Sequence, residues 1–225
     1  MTQFRVKSGR DAKADGHIKE NYLCDLLTAK TGCTHTVDGG NRTKRDILCE
    51  QLGKYYSIKS PSGKNTQVHL TPTNIWCEYF KIDGDLKIWF EKFFGLPRTG
   101  RPGRLGTSKI SEYLNNLAHE WFNNNKIRIF DVIVKHGAYS IDGKIRAGNP
   151  INQIIWFNKK TNEIEIEVSV EFLNNLVRNG EWRFKETVLH FLDKNGNKLF
   201  HLQMKGSGNL SQKNNMQFHI YKPYL

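Results

Sequence analysis

The chain has 225 residues, of which 38% are hydrophobic and 25% are charged, an ordinary balance for a folded protein that builds its own core. Lysine and arginine number 34 against 22 aspartates and glutamates, so the formal net charge is +12. No apolar run is long enough to cross a bilayer and the first residues are polar, so we expect a cytoplasmic protein with no membrane partner. A surface this positive attracts polyanions, and it favours nucleic acid as the partner.

The first eighty residues predict one helix followed by short strands. Apolar residues recur at helical spacing between His17 and Lys30, and Gly32 supplies the stop. Alternating patterns and turn residues then predict four strands, over Thr34–Val37, Asp46–Cys49, Tyr55–Lys59 and Thr66–Thr71. The second and third of these strands are predicted to form a hairpin.

The remaining residues are predicted to be mostly strands. A helix is expected over Ser108–Asn123 and a short one over Val170–Arg178. The predicted strands are Ile127–Lys135, Ile151–Phe157, Glu163–Val170, Thr187–Leu192 and Leu199–Lys205. The pattern as a whole indicates an α+β fold in which helices flank a mixed central β-sheet and the C-terminal part is rich in β-structure.

The predicted hairpin places polar groups together. With Leu52-Gly53 as its turn, Asp46 lies opposite Lys59, and the alternation of side chains puts Asp46, Ser57 and Lys59 on one face. Hydrolysis of a phosphodiester requires a metal, anionic ligands that hold the metal, and a cation beside the attacking water. The hairpin can supply these groups. The alternative is that Asp46 and Lys59 form an ordinary cross-strand ion pair, worth about 0.2–1 kcal/mol.

The segment Lys44-Arg45-Asp46-Ile47, followed by Ser57-Ile58-Lys59, resembles the PD-(D/E)xK signature of type II restriction endonucleases. The resemblance covers roughly residues 17–70 and implies a restriction-endonuclease-like core. It implies that Asp46 binds Mg²⁺ and that Lys59 positions or activates water. Arg45 stands where the family has proline, and Ser57 stands where it has the middle acid. A neutral hydroxyl is a poorer magnesium ligand than a carboxylate.

The missing acid must come from elsewhere if the resemblance holds. The family often takes a glutamate from the preceding helix, so Glu20 is the first candidate for a catalytic metal ligand, with Glu50 and Glu78 as alternatives. In this interpretation residues 1–225 form a single nuclease domain. Its catalytic core covers about 15–80, and residues 81–225 complete the sheet and recognise DNA.

The C-terminal hairpin is a second candidate centre, since some nucleases of the family use Gln as the middle ligand. Asn195-Gly196 predicts a type I′ turn, in which Lys194 faces Asn197. Counting from that turn puts Val188 opposite Gln203 and Glu186 opposite Lys205. The second centre would therefore consist of Glu186, Gln203 and Lys205.

DNA contacts are expected from amide and cationic side chains, which read base edges and bind phosphates. One group surrounds the first hairpin, a second lies in a basic Gly/Pro-rich loop, and a third lies near the C-terminus. The candidates are Lys44, Lys64, Gln67 and His69, then Arg98, Arg101 and Arg104, then Asn209, Gln212, Lys213, Asn215 and Gln217. The two loops have the composition of solvated surface loops as well.

The sequence thus predicts a Mg²⁺-dependent endonuclease that cuts double-stranded DNA at a specific site. A homodimer is expected, because one active site cuts one strand and twofold symmetry matches palindromic sites. The sequence has no phosphate-binding Walker loop, so no nucleotide cofactor is expected. The alternatives are a basic DNA- or RNA-binding protein without catalysis, and a nuclease for repair, junctions or RNA.

Overall fold

The structure, a computed structural model, describes residues 9–38, 45–61, 63–95, 105–137, 139–141, 144–205 and 215–223. Its α-helices are α1 (Gly9–Thr31), α2 (Thr73–Phe80), α3 (Gly84–Phe94), α4 (Glu112–Asn124), α5 (Lys126–Phe130) and α6 (Val170–Arg178). Its strands are β1 (Thr36–Val37), β2 (Ile47–Cys49), β3 (Lys54–Lys59), β4 (Asn65–Pro72), β5 (Tyr139–Ile141), β6 (Lys144–Arg146), β7 (Gln153–Asn158), β8 (Glu163–Ser169), β9 (Glu181–Lys185), β10 (Val188–Leu192), β11 (Lys198–Met204) and β12 (Asn215–Tyr221).

The first sheet has the strand order β1-β2-β3-β7-β8 and is mixed, because β3 and β7 run parallel while the other pairs are antiparallel. Helix α1 covers one face of this sheet. Its buried Leu23 and Leu27 pack in one apolar cluster with Tyr56 and Ile155. The alternating side chains of β7, Ile154 and Trp156, point to the other face and enter the main core.

The second sheet is antiparallel, with the order β4-β12-β11-β10-β9. Phe191 and Phe218 from its inner face share the main core with Trp156 of the first sheet. Trp89 and Phe122, on α3 and α4, belong to the same core and are fully buried. The prediction of an α+β fold with a mixed sheet flanked by helices is confirmed, and the C-terminal part is rich in strands. No helix in the described part of the chain has the length and apolarity that crossing a membrane requires.

The prediction of a strand over 127–135 is wrong, because this segment forms α5 and a π-helical turn over Asp131–Lys135. Ile129, Phe130 and Ile133 are all buried. Its β-branched and aromatic residues suit a strand as well as a short helix, so the pattern did not distinguish the two. Helix α3 was not predicted from the sequence pattern, and it buries Trp89, Phe90, Phe93 and Phe94.

The C-terminal hairpin combines a correct register with a different turn. Val188 does lie opposite Gln203, as predicted. Asp193 N donates to Asn197 O at 2.9 Å. Residues 194–196 therefore form a three-residue connection in place of the predicted two-residue turn. Gly196 adopts a positive φ of 83°, and a bulge beside Leu192 restores the expected pairing. The Asp193 carboxylate accepts hydrogen bonds from the backbone of the turn, so its role is structural.

The outer face of the second sheet carries a row of three histidines on β10, β11 and β12. The rings of His201 and His219 are stacked, with centroids 4.3 Å apart, and His190 lies 6.1 Å from His201. Burial lowers the pKa of His201 to about 3, with further lowering from the two neighbouring histidines and Lys198. Burial also lowers the pKa of His190 and of His219. The folded protein therefore holds these imidazoles neutral.

Acid should destabilise the fold through this row. An unfolded histidine has a pKa of about 6.5, so below that pH the unfolded chain binds more protons than the folded one. We expect the histidines to contribute their whole stabilisation above about pH 6.5. As the pH falls from there to about 3, the free energy of unfolding should decrease by on the order of 2–3 kcal/mol after solvent screening.

Urea unfolding across this pH range measures the effect. His201→Gln should flatten the profile, whereas the exposed His119→Gln should leave it unchanged. Identical pH profiles for wild type and His201→Gln would show that this histidine row is not the cause of the acid destabilisation.

Candidate active site

The first hairpin has a longer turn than the sequence predicted. Ile47 pairs with Tyr56 and Cys49 with Lys54. The connection spans residues 50–53, with Gly53 at a φ of 58° and its N donating to Glu50 O at 3.1 Å. The predicted two-residue turn at Leu52-Gly53 and the pairing of Asp46 with Lys59 are therefore wrong, by a register shift of two. An even shift leaves every side chain on its predicted face.

Asp46 lies just before β2 and beside Ser57. Its carboxylate Oδ2 accepts hydrogen bonds from Ile58 N at 2.6 Å and from Ser57 Oγ at 3.1 Å. Asp46 N donates to Tyr56 O at 2.8 Å. The carboxylate thus replaces the strand partner that Ile58 N would otherwise have beyond the end of β2. Its position is set by the backbone of β3, which is a rigid support for a ligand or base.

Lys59 reaches the same group from the end of β3. Its Nζ donates to Ser57 Oγ at 2.5 Å, and Ser57 is only 1% exposed. Burial lowers the pKa of Lys59, and the negative charge of Asp46 opposes that shift. Ser57 therefore connects amine and carboxylate through its single hydroxyl. A desolvated amine exchanges its proton more readily than an exposed one and can orient or deprotonate water.

Arg45, which stands where the signature has proline, is held by two partners. Its Nε donates to the Asp38 carboxylate, and its guanidinium lies over the Tyr55 ring at 4.9 Å from the centroid. Asp38 N also donates to Asp46 O at 3.0 Å. These contacts order the backbone that leads into Asp46.

Glu20 lies at the same edge of the sheet as Lys59, but on α1. It shares a helical stripe with Leu23 and Leu27, which pack on the sheet face opposite Ser57. The Tyr22 ring lies 6.2 Å from Phe157, near the end of β7, so this end of α1 is at the carboxyl ends of β3 and β7. Because α1 packs on the sheet face opposite Ser57, the part of Glu20 in a metal site with Asp46 stays a prediction.

The side chains around Asp46 offer magnesium few protein ligands. In the part of the chain that the structure describes, no three or more His, Cys, Asp and Glu side chains are grouped so as to hold a metal. Magnesium keeps several waters and is commonly bound through one or two carboxylates plus substrate phosphates. Asp46, held in place by Ile58 N and Ser57 Oγ, could supply one such carboxylate.

The second candidate centre is not assembled as predicted. Strand β10 begins at Val188, so Glu186 lies in the β9–β10 turn and not opposite Lys205. Its carboxylate accepts hydrogen bonds from Ser108 N and Ser108 Oγ, and these bonds lower its pKa. Gln203 instead donates to Gln217 Oε1 at 3.3 Å.

The predicted DNA contacts divide into three groups. Gln67 and Gln217 lie on the outer face of the second sheet, where Gln217 Nε2 donates to Gln67 Oε1 at 2.5 Å, and Lys64 is exposed just before β4. His69 is buried, 5% exposed, in contact with the Trp76 ring, and Asn215 is 6% exposed. Both are therefore buried in the folded chain, and their contact with DNA stays a prediction. The others lie outside the described residues: Lys44, Arg98, Arg101, Arg104, Asn209, Gln212 and Lys213.

Asn152, which no motif in the sequence singles out, orders the hairpin from a distance. Its Oδ1 accepts from Tyr55 N at 2.8 Å and its Nδ2 donates to Gly53 O at 2.6 Å. Asn152 is almost a hundred residues from the hairpin and lies in a run without a motif, so no local signal identified it. A basic cavity beside Lys59, lined by Lys160 and Lys222, was missed for the same reason.

No protein-family model and no curated protein matches the sequence. Among solved structures, the chain is similar to the crystal structure of restriction endonuclease MspI in complex with its cognate DNA. The two share 13% identity, with 89% of this chain and 77% of that chain covered, at a TM-score of 0.47. A similarity this distant assigns no activity and no site residue to this chain. The roles of Asp46, Ser57 and Lys59 depend on their own contacts.

Burial of Lys59 predicts that its charge destabilises the fold. Because burial lowers its pKa, the charged amine is less favourable in the folded protein than in the unfolded chain. Lys59→Met keeps the length of the side chain and removes the charge. We expect the free energy of unfolding at pH 7 to stay equal or to rise by up to about 1 kcal/mol.

Urea unfolding of both proteins tests this expectation, with the exposed Lys87→Met as control. A clear loss of stability in Lys59→Met alone would mean that Lys59 and Asp46 form a stabilising ion pair and nothing more.

Proposed function

We propose that this protein is a Mg²⁺-dependent endonuclease that hydrolyses phosphodiester bonds of double-stranded DNA at a specific site. The observation that carries the proposal is the contact set in which one hydroxyl, Ser57 Oγ, joins the Asp46 carboxylate to the buried Lys59 amine. A net charge of +12 supports a polyanionic substrate. We also propose a homodimer, since two symmetric sites would cut both strands.

Each residue has a defined task in this proposal. Asp46 is the protein ligand of magnesium, which when bound would supply hydroxide near neutral pH and offset charge on the phosphate. Ser57 holds the Asp46 carboxylate and the Lys59 amine in fixed relation. Lys59 orients the attacking water and stabilises the charge that develops on the scissile phosphate. Glu20 completes the metal site from α1.

A second function remains a candidate because of Ser57. In place of a middle carboxylate, the strand carries the neutral hydroxyl of Ser57, which donates to the Asp46 carboxylate. A protein that binds DNA or RNA without cutting it would have no need of the missing ligand. Incubation with plasmid or phage DNA and magnesium separates the functions. Discrete fragments support site-specific cleavage, a smear supports a non-specific nuclease, and a retarded intact band supports binding alone.

Asp46→Ala is expected to abolish cleavage and to retain DNA binding, because it removes a metal ligand without removing a cation. Lys59→Ala is expected to lower the single-turnover rate by about 10²–10³-fold, the usual cost of losing one preorganised stabilising group. The exposed Lys87→Ala, on α3, is the control and should cleave at the wild-type rate. Wild-type cleavage by a folded Lys59→Ala protein would remove this residue from the active site.

The source of the second acid is tested by comparing two variants across a magnesium titration. Glu20→Gln should raise the magnesium concentration needed for half-maximal rate by about tenfold or more, because a metal ligand is lost. Ser57→Ala should have a smaller effect on that concentration. Asp25→Asn, an exposed acid on the same helix, controls for charge. If Glu20→Gln and Asp25→Asn behave alike, the missing ligand is not Glu20, and Glu78 becomes the next candidate.

A further inference from the structure

A polar cavity of about 470 Å³ opens at the carboxyl ends of β3 and β7. Ser60, which follows Lys59 directly, and Pro61 form part of its wall. The parallel pairing of Lys59 with Trp156 brings the end of β7 to the same edge, so Asn158 lines the cavity as well. Its lining therefore begins at Ser60, the residue that follows Lys59 of the Asp46–Ser57–Lys59 site. Carboxyl ends of parallel strands are the edge at which ligands commonly bind in α/β sheets.

The wall of the cavity is basic. Lys159, Lys160 and Lys222 line it, against one acid, Glu165. Lys222 Nζ lies 3.3 Å from Glu165 Oε2, and the two side chains are 43% and 32% exposed. A solvent-exposed ion pair of this kind is weak, worth about 0–1 kcal/mol. A bound anion could therefore replace Glu165 as the partner of Lys222 with little loss of free energy.

Hydrogen bonds order the backbone segments that carry these lysines. Asn158 Oδ1 accepts hydrogen bonds from Lys160 N at 2.9 Å and from Thr161 N at 3.4 Å, which sets the β7–β8 turn. Asn158 Nδ2 donates to Glu165 Oε1 at 3.0 Å, which holds the acid to one side. The backbone of Lys222 is held to the segment before β4, because its N donates to Lys64 O at 3.3 Å.

From these contacts we infer that the cavity binds a backbone phosphate of the DNA strand whose neighbouring phosphodiester enters the Asp46–Ser57–Lys59 site. The inference rests on the proposed function and extends it to a second position on the same strand. Lysine ammonium groups bind phosphate as point charges without demanding a fixed approach. Phe157 at the base of the cavity is 1% exposed, so no ring is presented on which a base could stack. The cavity thus suits the backbone of a nucleic acid and not its bases.

Binding to a short duplex of mixed sequence, measured by fluorescence anisotropy in EDTA over a salt series, tests the inference without cleavage. Each lost phosphate contact lowers the slope of log K against log salt by about 0.9. We expect Lys222→Ala and Lys160→Ala each to reduce the slope by about that amount and to weaken binding. Glu165→Gln removes the competing acid and should tighten binding. The exposed Lys87→Ala, on α3, is the matched control, and thermal melting checks that all variants are folded.

The outcomes separate this inference from the proposed function. A wild-type slope near zero would overturn the proposed function itself. A steep wild-type slope that Lys222→Ala and Lys160→Ala leave unchanged, as Lys87→Ala should, would overturn the cavity assignment alone. Weaker binding by Glu165→Gln would also overturn it. Sodium phosphate at constant ionic strength should not compete with the duplex. Saturable competition that is lost in Lys222→Ala would assign the cavity to a small free anion instead.

Discussion

The parallel pairing of β3 with β7 joins the N-terminal hairpin to the C-terminal half of the chain. Asn152, directly before β7, secures it with three hydrogen bonds: its N donates to Tyr55 O at 2.9 Å, its Oδ1 accepts from Tyr55 N at 2.8 Å, and its Nδ2 donates to Gly53 O at 2.6 Å. The hairpin is therefore held at its turn and along one strand. A two-stranded hairpin alone is marginally stable in water, so the geometry around Asp46 depends on this pairing.

The same pairing explains the unusual setting of Lys59. Because Lys59 lies beside Trp156 on the face that meets the main core, its amine is withdrawn from water and its pKa falls. The chain retains a cation where an apolar side chain would pack at lower cost. Groups with perturbed pKa values in such settings are frequent at functional sites. Ser57, almost fully buried between the amine and Asp46, provides the hydrogen bonds that make the arrangement tolerable.

Three distant parts of the chain meet at one edge of the first sheet. The hairpin contributes Asp46 and Lys59, the turn after β7 contributes Lys160, and Lys222 lies just after β12. The edge combines an anionic group, Asp46 just before β2, with lysines beyond the ends of β7 and β12. A phosphodiester substrate requires this separation, because a metal site must be anionic whereas the flanking phosphates require cations.

Local sequence determined the helix α1, most strands and the common face of Asp46, Ser57 and Lys59, since that face depends only on the two-residue alternation of a strand. It also predicted Val188 opposite Gln203, although it did not predict the bulge beside Leu192. The exact hairpin register required Asn152, and the helical state of 127–135 required the packing of Ile129, Phe130 and Ile133 in the main core. Likewise, the burial of His69, the place of Glu186 in a turn and the cavity around Lys222 depend on partners far apart in sequence. Alternation and turn chemistry act between neighbours, whereas desolvation and long-range pairing exist only once the chain has folded.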